Sequence, residues 1–188
     1  DKGGSRLAKE LEAFGCAVSD EGRRHHRICT LTRPSSPTGI GEAIAAGAPQ
    51  MVEATGLWSQ PGVFSWDRTD PGSALLLDHL AGLSGRGADL GCGIGVLARA
   101  ILAAPDVASL AMVDLDRRAL AAARRNVEDP RASFHWADLR QPVDGLSGLD
   151  FVVMNPPFHD GGAEDKALGQ TFVRRAAAML RRGGRCLL

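Results

Sequence analysis

The chain has 188 residues, of which 44% are hydrophobic and 23% charged, and its formal net charge at pH 7 is +0. This composition is ordinary for a globular protein, and no apolar run reaches the roughly 18 residues that a membrane span needs. Bulk charge gives no sign of a nucleic-acid partner, so local basic clusters must supply that evidence.

Four cysteines, Cys16, Cys29, Cys92 and Cys186, are spread along the chain and form no C-x-x-C pair. Isolated cysteines are typical of reduced thiols in a cytosolic protein rather than of disulfides or a zinc site. We therefore expect a cytoplasmic protein with no metal site and no membrane partner.

The chain is predicted to have a short N-terminal domain at residues 1–33, a linker at 34–50 and a main domain at 51–188. The linker is inferred from its prolines, serines and glycines, which are turn signals. The elements predicted before it are a helix over residues 5–14 and a hairpin with strands at 16–18 and 27–31 and a turn at 20–22.

The main domain begins with a second predicted hairpin and a helix. Two strands within residues 51–66 would flank a turn at Gln60-Pro61-Gly62. Asp70 is placed as the N-cap of the following helix, with Pro71 at the first helical position and its apolar body at 74–83.

From Gly85 onward, apolar strand patterns alternate with helical patterns. This alternation indicates right-handed β-α-β units and an α/β fold with a doubly wound sheet. The predicted strands are 88–90, 109–113, 133–136, 151–154 and 185–188, and the predicted helices are 96–104, 117–127 and 166–180.

The chain stops where the fifth predicted strand begins. A sheet that ended there would leave an open apolar edge, which proteins usually cover. We therefore expect further strands beyond Leu188, and we expect residues 1–33 to be the end of a larger N-terminal domain.

The sequence DLGCGIG, from Asp89 to Gly95, follows the first strand and opens a helix. Glycines there allow a tight turn in which a ligand touches the backbone, although a turn without a ligand is the alternative. A nicotinamide cofactor would favour G-x-G-x-x-G, whereas this loop has G-x-G-x-G with a carboxylate just before it. That carboxylate would repel a diphosphate and attract an ammonium or a sulfonium, which favours S-adenosylmethionine.

Three further acids follow strands of the sheet. Asp114 ends the second strand and suits the hydroxyls of a ribose. Asp138 follows the third strand, and it either accepts from an adenine amino group or simply caps the strand end. Asp116 is expected to be the N-cap of the next helix.

The sequence NPPF, residues 155–158, follows the fourth strand, which a doubly wound order places beside the first. Pro156 and Pro157 fix their φ angles and keep the loop extended. The Asn155 side-chain oxygen and the Pro156 carbonyl could accept both hydrogens of an exocyclic amine, and Phe158 could stack on a planar base. His159 shapes the loop or contacts the substrate, and a rigid turn without chemistry is the alternative for the whole motif.

Together, GVFSWDRTDPGSALLL, DLGCGIGVLA and NPPFHDG resemble the class I S-adenosylmethionine-dependent methyltransferases. More narrowly, they resemble the bacterial ribosomal RNA guanine-N2 methyltransferases of the small-subunit (RsmC-like) branch. The N-terminal segment resembles the end of that family's degenerate, RNA-binding half. The resemblance implies methylation of a guanine amine in ribosomal RNA, free or in the small subunit.

The resemblance also implies roles for individual residues. Asp89, Gly91 and Gly93, with Cys92 between them, would hold the methionine end of the cofactor, Asp114 the ribose and Asp138 the adenine. The residues expected at the target base, with Asn155 also near the cofactor, are Asn155, Pro156, Pro157 and Phe158.

The densest basic cluster is RRHHR, in which Arg23, Arg24 and Arg27 either contact RNA or decorate a solvated hairpin. Two alternative functions remain open at this point. One is a protein glutamine-N5 methyltransferase of the release-factor type, which carries a similar NPP loop, and the other is a non-catalytic RNA-binding protein with the same fold.

Overall fold

The computed structural model describes residues 6–156 and 163–188, with only the helical backbone described for 163–166. It divides at Ala48/Pro49 into two units, which are described separately below. The elements in chain order are α1 (Leu7–Ala13), β1 (Ala17–Arg23), β2 (His26–Thr32), α2 (Ile40–Ala46), β3 (Gln50–Val52), β4 (Leu57–Ser59), α3 (Pro71–Leu77), β5 (Gly85–Leu90), α4 (Val96–Leu102), β6 (Val107–Asp114), α5 (Arg117–Asn126), β7 (Ala132–Trp136), β8 (Leu149–Met154), α6 (Ala163–Met179) and β9 (Leu180–Leu187).

The N-terminal unit contains the predicted helix and hairpin, but the hairpin turn was predicted at the wrong place. Antiparallel pairing of β1 with β2 continues to Arg23↔His26, so the turn consists of Arg24 and His25. Both turn residues have positive φ angles, 47° and 68°. The polar residues that suggested a turn at 20–22 instead lie within β1, where Asp20 forms an ion pair with Arg27 of β2.

The segment 34–50, interpreted as a linker, contains helix α2, which was not predicted. Its sequence IGEAIAA is rich in good helix formers, and these outweigh the flanking glycines and prolines. Just before it, the Thr38 hydroxyl donates to the Ala13 carbonyl and the Thr38 N–H donates to the Phe14 carbonyl. These bonds tie the segment to the end of α1.

The C-terminal unit begins with the short antiparallel hairpin of β3 and β4, whose turn also differs from the prediction. Val52 pairs with Leu57, so the turn lies at residues 53–56. The backbone N–H of Gly56, at φ 64°, donates to the Val52 carbonyl to close it. The predicted turn at 60–62 exists, but it follows β4 rather than joining the two strands.

The main sheet is parallel and doubly wound, as predicted, with the strand order β7-β6-β5-β8-β9. β5 lies between β6 and β8, and Leu90 pairs with Met154 at the carboxyl ends of β5 and β8. The loops that follow these two strands are therefore adjacent, at the edge where doubly wound sheets bind ligands.

Both faces of the central strands β5, β6 and β8 are mostly buried, which explains why β6 and β8 read as apolar runs. One core cluster includes Phe151 and Met112, and a second includes Leu90 and Met154. Helix α3 begins as predicted, with Asp70 as N-cap and Pro71 first, but it ends earlier, at Leu77. Of the helices in the described residues, none is long and apolar enough to span a membrane.

Candidate functional site

The loop of residues 91–95, between β5 and α4, is fixed to the end of β6 by its backbone. The N–H groups of Gly91 and Cys92 both donate to the Val113 carbonyl, at 2.8 and 3.1 Å. Gly93 has a φ angle of 54°, and its N–H donates to the Asp114 carboxylate at 2.8 Å. The loop is therefore held in shape before any ligand binds.

Asp89 lies under this loop and is only 1% exposed. Neither of its carboxylate oxygens has a hydrogen-bond partner within residues 6–156 and 163–188. Burial, together with the negative charge of Asp114, raises the pKa of Asp89 from 3.8 to about 7. An orphaned, buried carboxylate is costly, so this site is prepared for a cation or a donor that the protein itself does not supply there.

Asp114, at the end of β6, is half-buried and connects two loops. One carboxylate oxygen accepts from Gly93 and the other accepts from the Asp116 N–H, both at 2.8 Å. Desolvation raises its pKa, while these backbone donors oppose the shift. Each oxygen has a remaining lone pair, so the carboxylate can still accept from a hydroxyl. Asp116 itself caps α5, as predicted.

One cleft brings the glycine loop and Asn155 together. Gly91, Cys92 and Gly93 form one wall, and Asn155 from the end of β8 forms another. The remaining cleft residues are Phe64, Ser65, Arg68, Asp70, Ser73, Ile94, Val96 and Leu97.

The Asn155 side chain is oriented by two residues of α3 and its cap. Its Nδ2 donates to Asp70 Oδ2 at 2.7 Å and to Ser73 Oγ at 3.1 Å. Both amide hydrogens are thus used, and the side-chain oxygen Oδ1 keeps its capacity to accept. Pro156 follows and is buried.

Several predicted site residues lie outside the described residues. Pro157, Phe158 and His159 belong to the segment 157–162, so their placement is not described. The structure therefore places Asn155 and Pro156, the first half of the NPPF motif, at the end of β8.

Asp138 is engaged with its own neighbour rather than with the cleft. It lies two residues past β7, and its carboxylate accepts from the Arg140 backbone N–H at 2.9 Å and from the Arg140 guanidinium. This pairing lowers the pKa of Asp138. The geometry is that of the strand-end turn that was the alternative reading, and any contact with a ligand would require Arg140 to move.

The cleft wall formed by Phe64, Ser65 and Arg68 was not assigned a site role from the sequence. Ser65 has a φ angle of 46°, which marks an unusual backbone in the segment before α3. Asp70 was identified only as a helix cap. The one sequence signal for a role in the site was the resemblance of GVFSWDRTDPGS to a family segment, because none of its residue types indicates a catalytic or binding role by itself.

Asn126, at the end of α5, connects the hairpin β3-β4 to the glycine loop. Its Nδ2 donates to the carbonyls of Trp58 and Ile94, both at 2.9 Å, and its Oδ1 accepts from the Trp58 N–H at 2.7 Å. Hairpin β3-β4 is thereby joined to the glycine loop, and the Arg125 guanidinium lies 4.6 Å over the Trp58 ring.

The basic cluster of the N-terminal unit is partly neutralised. Arg23 pairs with Glu21 and Arg27 pairs with Asp20, both along or across the hairpin. Arg24, at the exposed turn, makes no ion pair with any residue that the structure describes. Of the three predicted RNA contacts, Arg24 is thus the one whose charge is not already compensated.

Asn155 lines the cleft, and the buried Asp89 lies just before the glycine loop that forms its other wall. A buried carboxylate without a partner favours a positive group at the glycine loop, and a fixed amide oxygen favours a hydrogen-bond donor at Asn155. Within residues 6–156 and 163–188, no cluster of three or more His, Cys, Asp or Glu side chains is arranged to hold a metal ion.

Comparison with known proteins finds relatives named ribosomal RNA small subunit methyltransferase C. A ribosomal RNA small subunit methyltransferase C of Pseudomonas entomophila (strain L48) is 34% identical over 182 residues, which cover 94% of this chain and 54% of the relative. That of Shewanella sp. (strain MR-4) is 42% identical over 127 residues, 65% of this chain and 36% of the relative. The chain thus spans about half the length of the first of these relatives and less of the second.

Among solved structures, the T. thermophilus 16S rRNA N2 G1207 methyltransferase (RsmC), in complex with AdoMet and guanosine, superposes with a TM-score of 0.73. It is 27% identical in sequence, and the match covers 97% of this chain and 52% of that one. The predicted class I methyltransferase fold is confirmed by this likeness. The family model described as the methyltransferase small domain matches residues 54–188. Since that match covers well over half of the chain, the chain belongs to the methyltransferase small domain family.

Proposed function

We propose that this protein binds S-adenosylmethionine and methylates the exocyclic N2 amine of a guanine in the RNA of the small ribosomal subunit. The observation that carries the proposal is the buried, unpartnered Asp89 carboxylate, which lies under a glycine loop sharing one cleft with the oriented Asn155 amide. The names of the relatives and of the T. thermophilus structure support the same reaction.

The residues around the glycine loop fit the charge of this cofactor. The carboxylate of Asp89 would attract the ammonium of its methionine end, whereas it would repel the diphosphate of a nicotinamide cofactor. Gly91, Cys92 and Gly93 would line that end, and the free lone pairs of Asp114 would accept from the ribose hydroxyls. When bound, the cofactor supplies an electrophilic methyl group.

Asp138 remains part of the proposal as a contact for the adenine amino group. Its carboxylate is occupied by Arg140, whose side chain is 63% exposed and has room to swing away. Pairing with Arg140 reduces the negative charge that Asp138 offers to a ligand. This does not argue against the contact, because adenine is neutral and needs only a hydrogen-bond acceptor there.

Asn155 would act on the target base. Its Oδ1 and the Pro156 carbonyl would accept the two hydrogens of the guanine amine and orient its nitrogen toward the methyl group. Positioning of this kind supplies much of the rate in group transfer, and no strong general base is needed because the proton can leave after the transfer. Phe158, with His159 beside it, would stack on or border the base.

The N-terminal hairpin would add contacts to the RNA backbone. Arg24 is the first candidate because its charge is not paired, while Arg23 and Arg27 would need to exchange a carboxylate for a phosphate. With so few phosphate contacts, RNA affinity should depend only weakly on salt concentration. The reaction would take place in the cytoplasm, where ribosomal subunits are assembled.

The test is methyl transfer from labelled S-adenosylmethionine by the full chain to small-subunit RNA, to intact small subunits and to release factors in parallel. We expect label in RNA, at a guanine N2 position that mass spectrometry identifies. Label only in protein would replace the proposal with glutamine methylation. Absence of cofactor binding in calorimetry would instead favour a non-catalytic RNA-binding protein.

A further inference from the structure

The orientation of the Asn155 amide is set by residues that lie more than 80 positions earlier in the chain. Asp70 and Ser73 accept its two Nδ2 hydrogens. We propose that both are positioning residues, which fix the polarity of this amide so that Oδ1, and not Nδ2, is offered to the target amine. This inference rests on the proposed function, because it assigns to Asn155 the role of acceptor for that amine.

Chemistry decides which end of the amide faces Asp70. An ionised carboxylate only accepts hydrogen bonds, so the NH2 end must face it and the oxygen must face away. A flipped amide would lose the bond to Asp70 and bring its oxygen against the carboxylate, whereas the Ser73 hydroxyl can either accept or donate, so Asp70 sets the polarity. The flipped amide would also present NH2 to the cleft, where it would repel an exocyclic amine and attract a carbonyl.

The Asp70 side chain, which holds the Asn155 amide, is itself held in place by the start of α3. The same Asp70 oxygen that accepts from Asn155 also accepts from the Ser73 N–H at 3.1 Å, which is the N-cap bond of α3. Pro71 fixes the next backbone angle. One capping turn thus serves two purposes: it starts the helix, and it aims the polar group at the end of β8.

Gly72 shows how closely the two elements approach. A Cβ atom built there would lie 2.8 Å from Asn155 Oδ1, closer than real Cβ atoms come, and 3.2 Å from its Nδ2, which is a tight contact. It would also lie 3.1 Å from Asp70 Oδ2. A methyl group at position 72 would therefore push the amide aside without removing any hydrogen-bonding group.

The first experiment separates the helix cap from the hold on Asn155. Asp70→Ser keeps a good N-cap but has a shorter side chain, whereas Asp70→Asn keeps both the cap and an oxygen at the right reach. We expect kcat for methylation of small-subunit RNA to fall roughly 10- to 100-fold in Asp70→Ser and to be largely retained in Asp70→Asn. Cofactor affinity and thermal stability should change little in both.

The second experiment uses a matched pair of helix glycines. Gly72 and Gly41 are each the second residue of a seven-residue helix, but a Cβ at Gly41 would meet nothing within 4 Å. Alanine is the better helix former, so neither substitution should disrupt its helix. We expect Gly72→Ala to lose activity by a similar factor, while Gly41→Ala keeps it.

The outcomes distinguish this inference from the proposed function. If the unaltered protein transfers no methyl group to RNA, the proposed function fails. If it does, but Asp70→Ser and Gly72→Ala retain normal kcat, the inference is overturned. It is also overturned if Asp70→Asn is as impaired as Asp70→Ser, since the charge of Asp70 rather than its hold on the amide would then matter.

Discussion

Cofactor binding should weaken as the pH falls from 8 to 6, because Asp89 must be ionised to attract a cation. Burial and the neighbouring Asp114 raise the pKa of Asp89 to about 7 in the free protein. A cation bound beside it favours the ionised form and lowers that pKa again. Binding to a protonated site must therefore release a proton.

The size of the effect follows from the pKa. With a value of about 7, the ionised fraction is roughly nine-tenths at pH 8 and one-tenth at pH 6. If only the ionised form binds, the Kd for S-adenosylmethionine rises about tenfold over this range, and binding at pH 7 releases about half a proton per site.

Isothermal calorimetry in two buffers of different ionisation enthalpy measures both quantities. Asp89→Asn is the control, because it keeps the shape of the side chain and removes the titration. It should bind more weakly than the unaltered protein at pH 8, and any pH dependence that it retains belongs to the amine of the ligand. A constant Kd from pH 6 to 8 with no proton release in the unaltered protein would refute the role of Asp89 as the counter-charge.

Further predictions concern stability, measured as the free energy of unfolding in urea. Asp89→Asn should stabilise the free protein by up to about 4 kcal/mol at pH 8 and by little at pH 4. The reason is that the pKa of Asp89 is higher in the folded state than its unfolded value of 3.8, so ionising it lowers the stability as the pH rises from about 4 to 7. Equal effects at both pH values would contradict this. Asn126→Ala removes three hydrogen bonds to Trp58 and Ile94 and should cost about 2–3 kcal/mol; a loss below 0.5 kcal/mol would contradict it. Arg131→Lys loses guanidinium hydrogen bonds to the carbonyls of Ala104 and Val107 and should lower the free energy of unfolding by about 1–2 kcal/mol. Arg24→Lys, at an exposed turn, is the control and should leave the stability unchanged.

The sheet was predictable because its signals are strong and local. Buried parallel strands such as β6 and β8 read as apolar runs, and the helices between them read as amphipathic or small-residue segments. The observed bounds differ from the predicted ones mainly by extension, as in β5, which begins at Gly85.

The short elements were harder, because several turns were compatible with the same polar residues. Residues 20–22 look like a turn but lie in β1, since Asp20 gains a partner on the opposite strand. Helix α2 was missed because its seven residues are flanked by glycines and prolines, which are signals of an irregular linker. Pairing with β2 decided the first case, and the helix propensity of the alanine-rich segment decided the second.

The positions of Asp89, Asp114 and Asn155 could be anticipated because each stands at a strand end, and topology brings such ends together. The contacts of Asn155 could not be anticipated. Asp70 and Ser73 are 85 and 82 positions away in sequence, and their local role as a helix cap already explained them. For Asp138, the local alternative of a strand-end turn was the one that the structure shows, with Arg140 two residues away as the partner.

Asp89, buried beside the glycine loop, and Asn155, in the cleft, are prepared in opposite ways, and the proposed chemistry follows from this difference. Asp89 is left without a hydrogen-bond partner, so its ionised form costs the folded state about 4 kcal/mol, which a bound cation would offset. Asn155 has its donors fully used, so only an acceptor remains for the substrate. Because both arrangements exist before any ligand arrives, the proposed preference for a cationic methyl donor and for an amine as the methyl acceptor would be built into the packing of β5, β8 and α3.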